Sequence, residues 1–419
     1  MSAKSVTPCL CWLLALAALL GATGAAATKG VGYSRCFADG ARAESLAAPR
    51  RWSCNEASHT IAPERVLVRF DLAPGTKQPR YLETRRAAMA ALHVLVIGTD
   101  GATRIARFAP GDLQTSRRGG YIRVPLPTTT ALTQRVIVAF DEPTHRMALE
   151  QAQLVPADAH DGLGARRLLL VLAGLCGMLL MPLMFNIAFY RILRERFVLW
   201  HSALALTLQL SIVVGSGLAF YLNVPVMVLN AANTLLFGSS VAAAGMFARS
   251  FIEPGKLHPL LRRALPPVAG WAALASTLHA AFPFVLRPIQ SDLYYLAFVP
   301  VLAVYMATVI DALRRGSRAA RYQAVGWAPL TLVCVIRLVS GLAPWVPSAD
   351  AMMLFYAGCV VEVLATTLGV ADRFMAMKDE RDRARTEARV LESLSERDAL
   401  TGLFNRRVIE DRFARLRAE

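Results

Sequence analysis

Seven apolar segments constrain this chain more than any other feature of its sequence. At a rise of about 1.5 Å per residue, roughly 20 helical residues cross the 30 Å or so of hydrocarbon in a bilayer, and every segment is long enough. The sequence therefore predicts a multidomain membrane protein with a seven-helix transmembrane bundle at residues 164–373. The segments are residues 168–190, 197–221, 226–248, 266–286, 292–313, 323–345 and 351–372.

The charges between these segments predict their orientation. The formal net charge of +16 lies largely in the connecting loops, which indicates topology and argues against a nucleic-acid partner. The first, third and fifth loops hold eleven Lys and Arg residues, whereas the opposite loops hold only Arg287. Because basic loops remain in the cytoplasm, we expect the N-terminal part in the periplasm and the C-terminus in the cytoplasm.

The first 27 residues have the pattern of a secretory signal peptide. Lys4 supplies the positive start, Leu10 to Leu20 form a short apolar run, and Ala25 to Ala27 offer a small-residue cleavage site. The apolar run is too short to span a bilayer, although an uncleaved anchor is the alternative. Removal of residues 1–27 would leave residues 28–163 as an exported domain.

The exported domain has the pattern of an antiparallel β-sandwich. Apolar and polar residues alternate in "VLVRFDL" and "YIRVPL", and Gly- and Pro-containing turns separate such runs. No catalytic pattern accompanies them, so the domain is interpreted as a binding module, with His93 as a strand or core residue. Cys36 and Cys54 are candidates for a disulfide worth roughly 3 kcal/mol, with two free thiols as the alternative.

Two charged residues lie within the predicted spans, where charge is unfavourable. Arg337 is in the sixth span and Glu362 in the seventh, and the short connection between the spans predicts antiparallel neighbours. Their similar distances from the outer ends allow an ion pair. The alternatives are Arg337 extending to the membrane surface with Glu362 protonated or facing a polar gap, and a proton or ion pathway.

A long helix is expected to follow the last span. Residues 370–401 contain neither Gly nor Pro, and a weak heptad pattern runs through residues 374–397. We expect a cytoplasmic linker helix that forms a coiled coil in a homodimer. A single solvated helix is the alternative.

The stretch "RDALTGLFNRR" closely resembles the start of GGDEF-type diguanylate cyclase domains. The resemblance implies the first helix of an α/β domain that begins at residue 398 and is truncated at residue 419, with these residues in a structural role. The matching residues are Asp398, Leu400, Thr401, Gly402, Leu403, Asn405, Arg406 and Arg407.

The same resemblance implies that two GTP molecules are joined into cyclic di-GMP by a dimer that requires Mg²⁺. Such chemistry needs carboxylates to hold the metal ions against the phosphates. Neither those carboxylates nor the GG[DE]EF hairpin occurs in this chain. We therefore expect no cofactor here and no catalysis by this chain alone.

The remaining organisation resembles bacterial seven-transmembrane receptors with diverse intracellular signalling modules. It implies an inner-membrane receptor with a jelly-roll-like periplasmic domain. "APGD" followed by Arg117 and Arg118 is similar to that family's periplasmic module, which implies a small carbohydrate-type ligand. The alternatives are a sensor kinase, although no His follows His279, and a non-enzymatic receptor whose chain ends here.

Overall fold

The computed structural model of the protein describes residues 32–48, 50–54, 58–158, 163–343, 351–396, 403–404 and 406–417. It divides into two units, Met1–Thr367 and Leu368–Glu419. The predicted signal peptide lies outside the described residues. So do five residues of the predicted cyclase motif: Asp398, Leu400, Thr401, Gly402 and Asn405.

The N-terminal part of the first unit is a β domain of two antiparallel sheets. One sheet has the strand order β1-β2-β8-β4-β5, and the other has the order β6-β7-β3-β9. This confirms the predicted N-terminal β-sheet domain. The strands are β1 Tyr33–Gly40, β2 Arg65–Leu72, β3 Tyr81–Arg85, β4 Ala91–Gly98, β5 Thr103–Phe108, β6 Gln114–Thr115, β7 Tyr121–Pro125, β8 Thr133–Asp141 and β9 Gln153–Val155.

The two sheets share one apolar core. The predicted alternation directs Val66, Val68 and Phe70 of β2 into it, where they meet residues of the other sheet such as Leu82 and Ile122. Alternation produces this arrangement because successive side chains of a strand point to opposite faces. The short helix α1, Met147–Glu150, closes one end of the core with the buried Leu149.

A disulfide secures the first strand. The structure pairs Cys36 in β1 with Cys54, next to a bridge in which Phe37 and Ser53 exchange backbone hydrogen bonds. The two cysteines that the sequence analysis proposed as a pair are thus joined by a disulfide in the described structure.

An ion-pair network lies on the outer side of the larger sheet. Arg65 and Asp141 face each other on adjacent strands, and Arg65 donates from Nε at 2.6 Å and from Nη2 at 3.0 Å to the two carboxylate oxygens. His93 on β4 lies 3.0 Å from the same carboxylate, which explains this histidine as a strand residue with a structural partner. Burial raises the pKa of Asp141, but the hydrogen bonds and charge of Arg65, with His93, lower it below its usual value.

The rest of the described chain is helical. Six helices are long and apolar enough to cross a membrane: α2, α3, α4, α6, α7 and α8. The fourth predicted span, 266–286, falls on α5, which does not reach that hydropathy, so the seventh span is not confirmed. The helices are α2 Leu163–Leu193, α3 Arg196–Gly215, α4 Val226–Phe251, α5 Pro259–Ala281, α6 Gln290–Arg314, α7 Arg318–Leu342, α8 Met352–Glu396 and α9 Arg406–Leu416.

The Arg65–Asp141 pair generates a pH-dependent prediction. At pH 7, Asp141→Asn should lower the free energy of unfolding of the β domain by about 3–5 kcal/mol, because Arg65 loses its counter-charge while buried. The folded-state pKa of Asp141 is lowered, so its contribution is present above the unfolded-state pKa of about 3.9 and disappears as the pH falls through the folded-state value. Hydrogen exchange of the β2 and β8 amides in the purified full chain measures the effect.

The matched control is Asp158→Asn. Asp158 is exposed and lies 3.4 Å from Lys77, so its removal should change stability by less than about 1 kcal/mol. Equal exchange in both variants would contradict a structural role for the Asp141 pair.

Candidate functional site

Side chains of the β domain and of the helix ends bond across the place where the two meet. Arg86, directly after β3, donates from Nη2 to the carbonyl oxygen of Val214 in the last turn of α3, at 2.9 Å. Arg146 donates in the same way to the carbonyl oxygen of Ala343, just beyond α7, at 3.2 Å. The final carbonyls of a helix lack partners within it and carry partial negative charge, so arginines satisfy them well.

Two glycines allow the backbones to touch at this junction. A Cβ on Gly119 would lie 2.5 Å from the backbone nitrogen of Gly217, which begins the 3₁₀ turn after α3. Gly119 also has a φ of +80°, a conformation that other residues rarely adopt. The close approach therefore requires glycine at residue 119.

A third arginine also bonds the helical region to the β domain. Arg287, between α5 and α6, donates from Nη1 to the carbonyl oxygen of Ile61 at 2.9 Å and from Nη2 to that of Pro63 at 2.9 Å. Ser291 in the first turn of α6 donates to the carbonyl oxygen of Thr144 at 2.8 Å. The β domain is thus bonded to the ends of several helices.

The same part of the structure contains a cavity of about 290 Å³, which we call the junction cavity. Residues of the β domain line one end, and residues of α3 to α8 line the remainder. Its volume is close to the lower limit of small-molecule sites. The residues that matter below are Arg85, Arg86, His145, Tyr295, Arg337 and Glu362.

The end of the cavity at the β domain is positively charged. Arg85, Arg86 and Arg337 line it, and Glu362 is the one carboxylate among the described lining residues. Arg86 is only 8 % exposed, and no partner among the described residues bonds its Nη1. Burial and the nearby Arg85 lower the pKa of Arg86 to about 10, so this guanidinium remains charged at neutral pH.

The protonation state of His145 follows from its bonds and surroundings. Burial, followed by the positive charges of Arg337 and Arg146, lowers the pKa of His145 to about 3, so the ring is neutral. Its Nδ1 accepts from the backbone N–H of Met147, so Nε2 carries the hydrogen and donates to the Tyr295 hydroxyl oxygen at 3.0 Å. The Tyr295 hydroxyl hydrogen has no acceptor within the described part of the chain.

The structure does not bring Arg337 and Glu362 together. Arg337 Nη2 contacts Met352 Sδ at 3.3 Å, at the start of α8, and its Nε is buried without a described partner. Glu362 lies against Gly326, where a Cβ would meet its carboxylate at 2.3 Å. Gly326 is about 16 Å from Arg337 along α7, so the residues lie at different depths and no ion pair joins them among the described contacts.

The other predicted site residues lie elsewhere. Arg117 and Arg118 stack over the rings of Phe220 and Tyr121, at 5.0 and 4.2 Å from the ring centroids. Leu403 is exposed. Two more residues of the predicted cyclase motif, Arg406 and Arg407, are in α9. Among the described residues, no group of three or more His, Cys, Asp or Glu side chains could hold a metal ion.

Sequence reasoning did not select most of the residues that line the cavity. The available signals were the arginine pair directly after a β-strand, Arg85 and Arg86, and the tyrosine pair within an apolar span, Tyr294 and Tyr295. Neither pair has a motif spacing, because the cavity combines residues from loops and helices far apart in the chain.

The apolar helices define a multi-pass membrane protein. Residues 168–373, just under half of the chain, match the family model described as 7TM diverse intracellular signalling. This range includes the helical residues that line the cavity, and the match supports a seven-transmembrane receptor of this type. A comparison with curated proteins gave no match.

The Arg287 hydrogen bonds predict which variant weakens the attachment of the β domain to the helices. Arg287→Ala should accelerate hydrogen exchange at residues 58–64 about tenfold or more, because hydrogen bonds from a charged group contribute roughly 1.5–3 kcal/mol. Arg263→Ala is the control, since Arg263 is exposed on α5 and makes no described contact. Equal exchange in the two variants would show that Arg287 does not hold the β domain.

Proposed function

We propose that the chain is the sensory part of a membrane signalling receptor, in which ligand binding at the junction cavity alters the helix that leads to the output. The observation that carries this proposal is the cavity itself, since its lining combines the β domain with α8. Met352, Phe355 and Glu362 of α8 line it, and the same helix continues to Glu396. A ligand there contacts both parts at once.

The proposed orientation places the β domain in the periplasm and the C-terminus in the cytoplasm of a bacterium, after removal of a signal peptide at residues 1–27. Two observations support it. The loop charges divide eleven to one, and the single basic residue on the less charged side, Arg287, bonds to the β domain. The sparsely charged loop that contains Arg287 therefore lies beside the β domain, which supports this orientation.

The proposed output is diguanylate cyclase activity in a homodimer. Its support is the resemblance of residues 398–407 to the start of a cyclase domain, together with the long helix α8 that precedes it. In a complete cyclase domain, Mg²⁺ would be held by carboxylates that this chain does not contain. The linker would set how two such domains face each other, and a small periplasmic molecule would control it.

The orientation predicts the behaviour of topology reporters. Alkaline phosphatase fused after Gly162 should be active, because it folds in the periplasm, and the same enzyme fused after Met377 should be inactive. A fluorescent protein that folds only in the cytoplasm should give the opposite pair of results. If both fusion sites were on the same side, the proposed topology would be wrong.

The output proposal predicts a difference between two products of the same locus. The purified 419-residue chain should make no cyclic di-GMP from GTP and Mg²⁺, whereas a longer product with a complete cyclase domain should make it as a dimer. Replacement of Asp398 in the longer product should reduce synthesis through folding of the linker and leave metal binding intact. Synthesis by the 419-residue chain alone, or its absence from the longer product, would contradict the proposal.

A further inference from the structure

We propose that the junction cavity binds a small anionic amphiphile, a molecule with one negatively charged head and one unbranched apolar tail. The inference rests on the proposed receptor function, because it names the class of ligand that the receptor's site would take. Its basis is an arrangement in which buried cationic donors without described partners line one end of a mainly apolar cavity.

The cationic end is built to hold an anion. Arg86 Nη1 and Arg337 Nε are buried donors without a described partner, and the Tyr295 hydroxyl has a hydrogen to donate. No carboxylate lies within ion-pair distance of Arg337 among the described residues, and its Nη2 has only the sulfur of Met352, a weak acceptor. Buried guanidinium N–H groups without acceptors are unfavourable, so an anionic head that accepts from them would stabilise this end.

The space beyond these donors suits an apolar tail. Asn230 and Ala244 of α4 both line the cavity and are 14 residues apart, which is about 21 Å along the helix. Between them, Phe237 packs on Phe298 with ring centroids 5.2 Å apart. Trp327 on α7, about 15 Å along the helix from Arg337, stacks on Tyr305 at the far end.

The charges also fix the direction of the ligand. Val226 at the start of α4 packs in the core cluster of the β domain, so Ala244 lies at the end of the cavity remote from that domain. Glu362, 1 % exposed and next to Gly326, lies near Trp327 at this remote end. A negatively charged head is attracted to the arginine end, which leaves the tail among the aromatic side chains at the remote end.

Binding of tritiated dodecanoate to the full 419-residue chain in phosphatidylcholine nanodiscs tests the proposal, with empty nanodiscs subtracted. We expect saturable binding at one site per chain. Dodecyltrimethylammonium, with the same tail and a cationic head, should not displace the label. Absence of saturable binding, or equal displacement by the cation, would overturn the proposal.

Variants of Arg337 test the head site. Arg337→Gln should weaken dodecanoate binding at least about tenfold, because a charge-assisted hydrogen bond is lost, whereas Arg337→Lys should retain most of it. Arg321→Gln is the matched control, since Arg321 is exposed at the start of the same helix. Wild-type affinity in Arg337→Gln would overturn the assignment of the head site.

A variant at the tail end of the cavity tests the proposal independently of Arg337, whose replacement could prevent folding. Ala244→Leu fills the tail end and leaves every cationic donor in place. It should weaken dodecanoate binding about tenfold or more and leave octanoate binding within about threefold of wild type, since the shorter tail does not reach the added side chain. Equal losses for both chain lengths would contradict the proposed direction of the ligand.

A third experiment distinguishes a lipid of the bilayer from a free molecule as the occupant of the cavity. Nanodiscs that contain phosphatidylglycerol should suppress dodecanoate binding if the occupant is an anionic lipid of the bilayer, and should leave it unchanged if the occupant is a free molecule. Either result upholds the shared chemistry. If dodecanoate binds but does not change cyclic di-GMP synthesis by the longer product, the binding site stands and the proposed receptor function is wrong. If another small molecule regulates synthesis and dodecanoate does not bind, the receptor function stands and the proposed ligand class is wrong.

Discussion

A buried guanidinium at the place where the β domain meets the helices governs much of this structure. Arg86 follows β3 directly and bonds to the carbonyl oxygen of Val214 in the last turn of α3. Removing an arginine from water costs several kcal/mol unless acceptors replace the lost hydration, so the surrounding chain must fit closely. The backbone contact between Gly119 and Gly217 provides that fit on one side, and Arg287 provides bonds on the other. Arg86 also lines the junction cavity.

The cavity differs from an ordinary gap in a helix bundle because of its charge distribution. Arginines from the β domain and from α7 line the same end, and neither Arg86 Nη1 nor Arg337 Nε has an acceptor among the described residues. The neutral ring of His145 bonds to Tyr295 beside them and adds no charge of its own. Buried cationic donors of this kind support the proposal that the cavity is arranged for binding rather than for packing.

The helix α8 connects this site with the rest of the chain. It is 45 residues long, and its first turns contribute side chains to the cavity. A helix moves as a stiff element because each backbone N–H is bonded to the carbonyl four residues earlier, so a shift of its first turns displaces the turns that follow. In the proposed receptor, ligand binding would act on the output through a small rotation or translation of this one helix.

Local patterns were sufficient for most of the secondary structure and failed where distant segments meet. The strand at Arg65–Leu72 follows from its alternation of apolar and polar residues, the strand at Thr133–Asp141 contains a run of β-branched and apolar residues, and six apolar helices follow from hydropathy. The fourth predicted span is not confirmed, because α5 begins at Pro259, ends at Ala281 and is less apolar than the six candidate spans. An ion pair between Arg337 and Glu362 requires both residues to lie at the same depth in the membrane. Counting residues from assumed helix ends could not establish that depth.

By itself, the sequence determined the succession of a β domain, apolar helices and a long polar helix, since each depends on the periodicity or length of a continuous segment. It also nominated Cys36 and Cys54, which the structure joins. Only the tertiary structure decided that Arg86, His145, Tyr295 and Arg337 line one cavity. Their proximity depends on how the β domain rests on the helix ends, and that packing is set by contacts between residues up to 226 positions apart, as from Arg287 to Ile61. No local periodicity records such contacts, because each is a property of two surfaces and not of either segment alone.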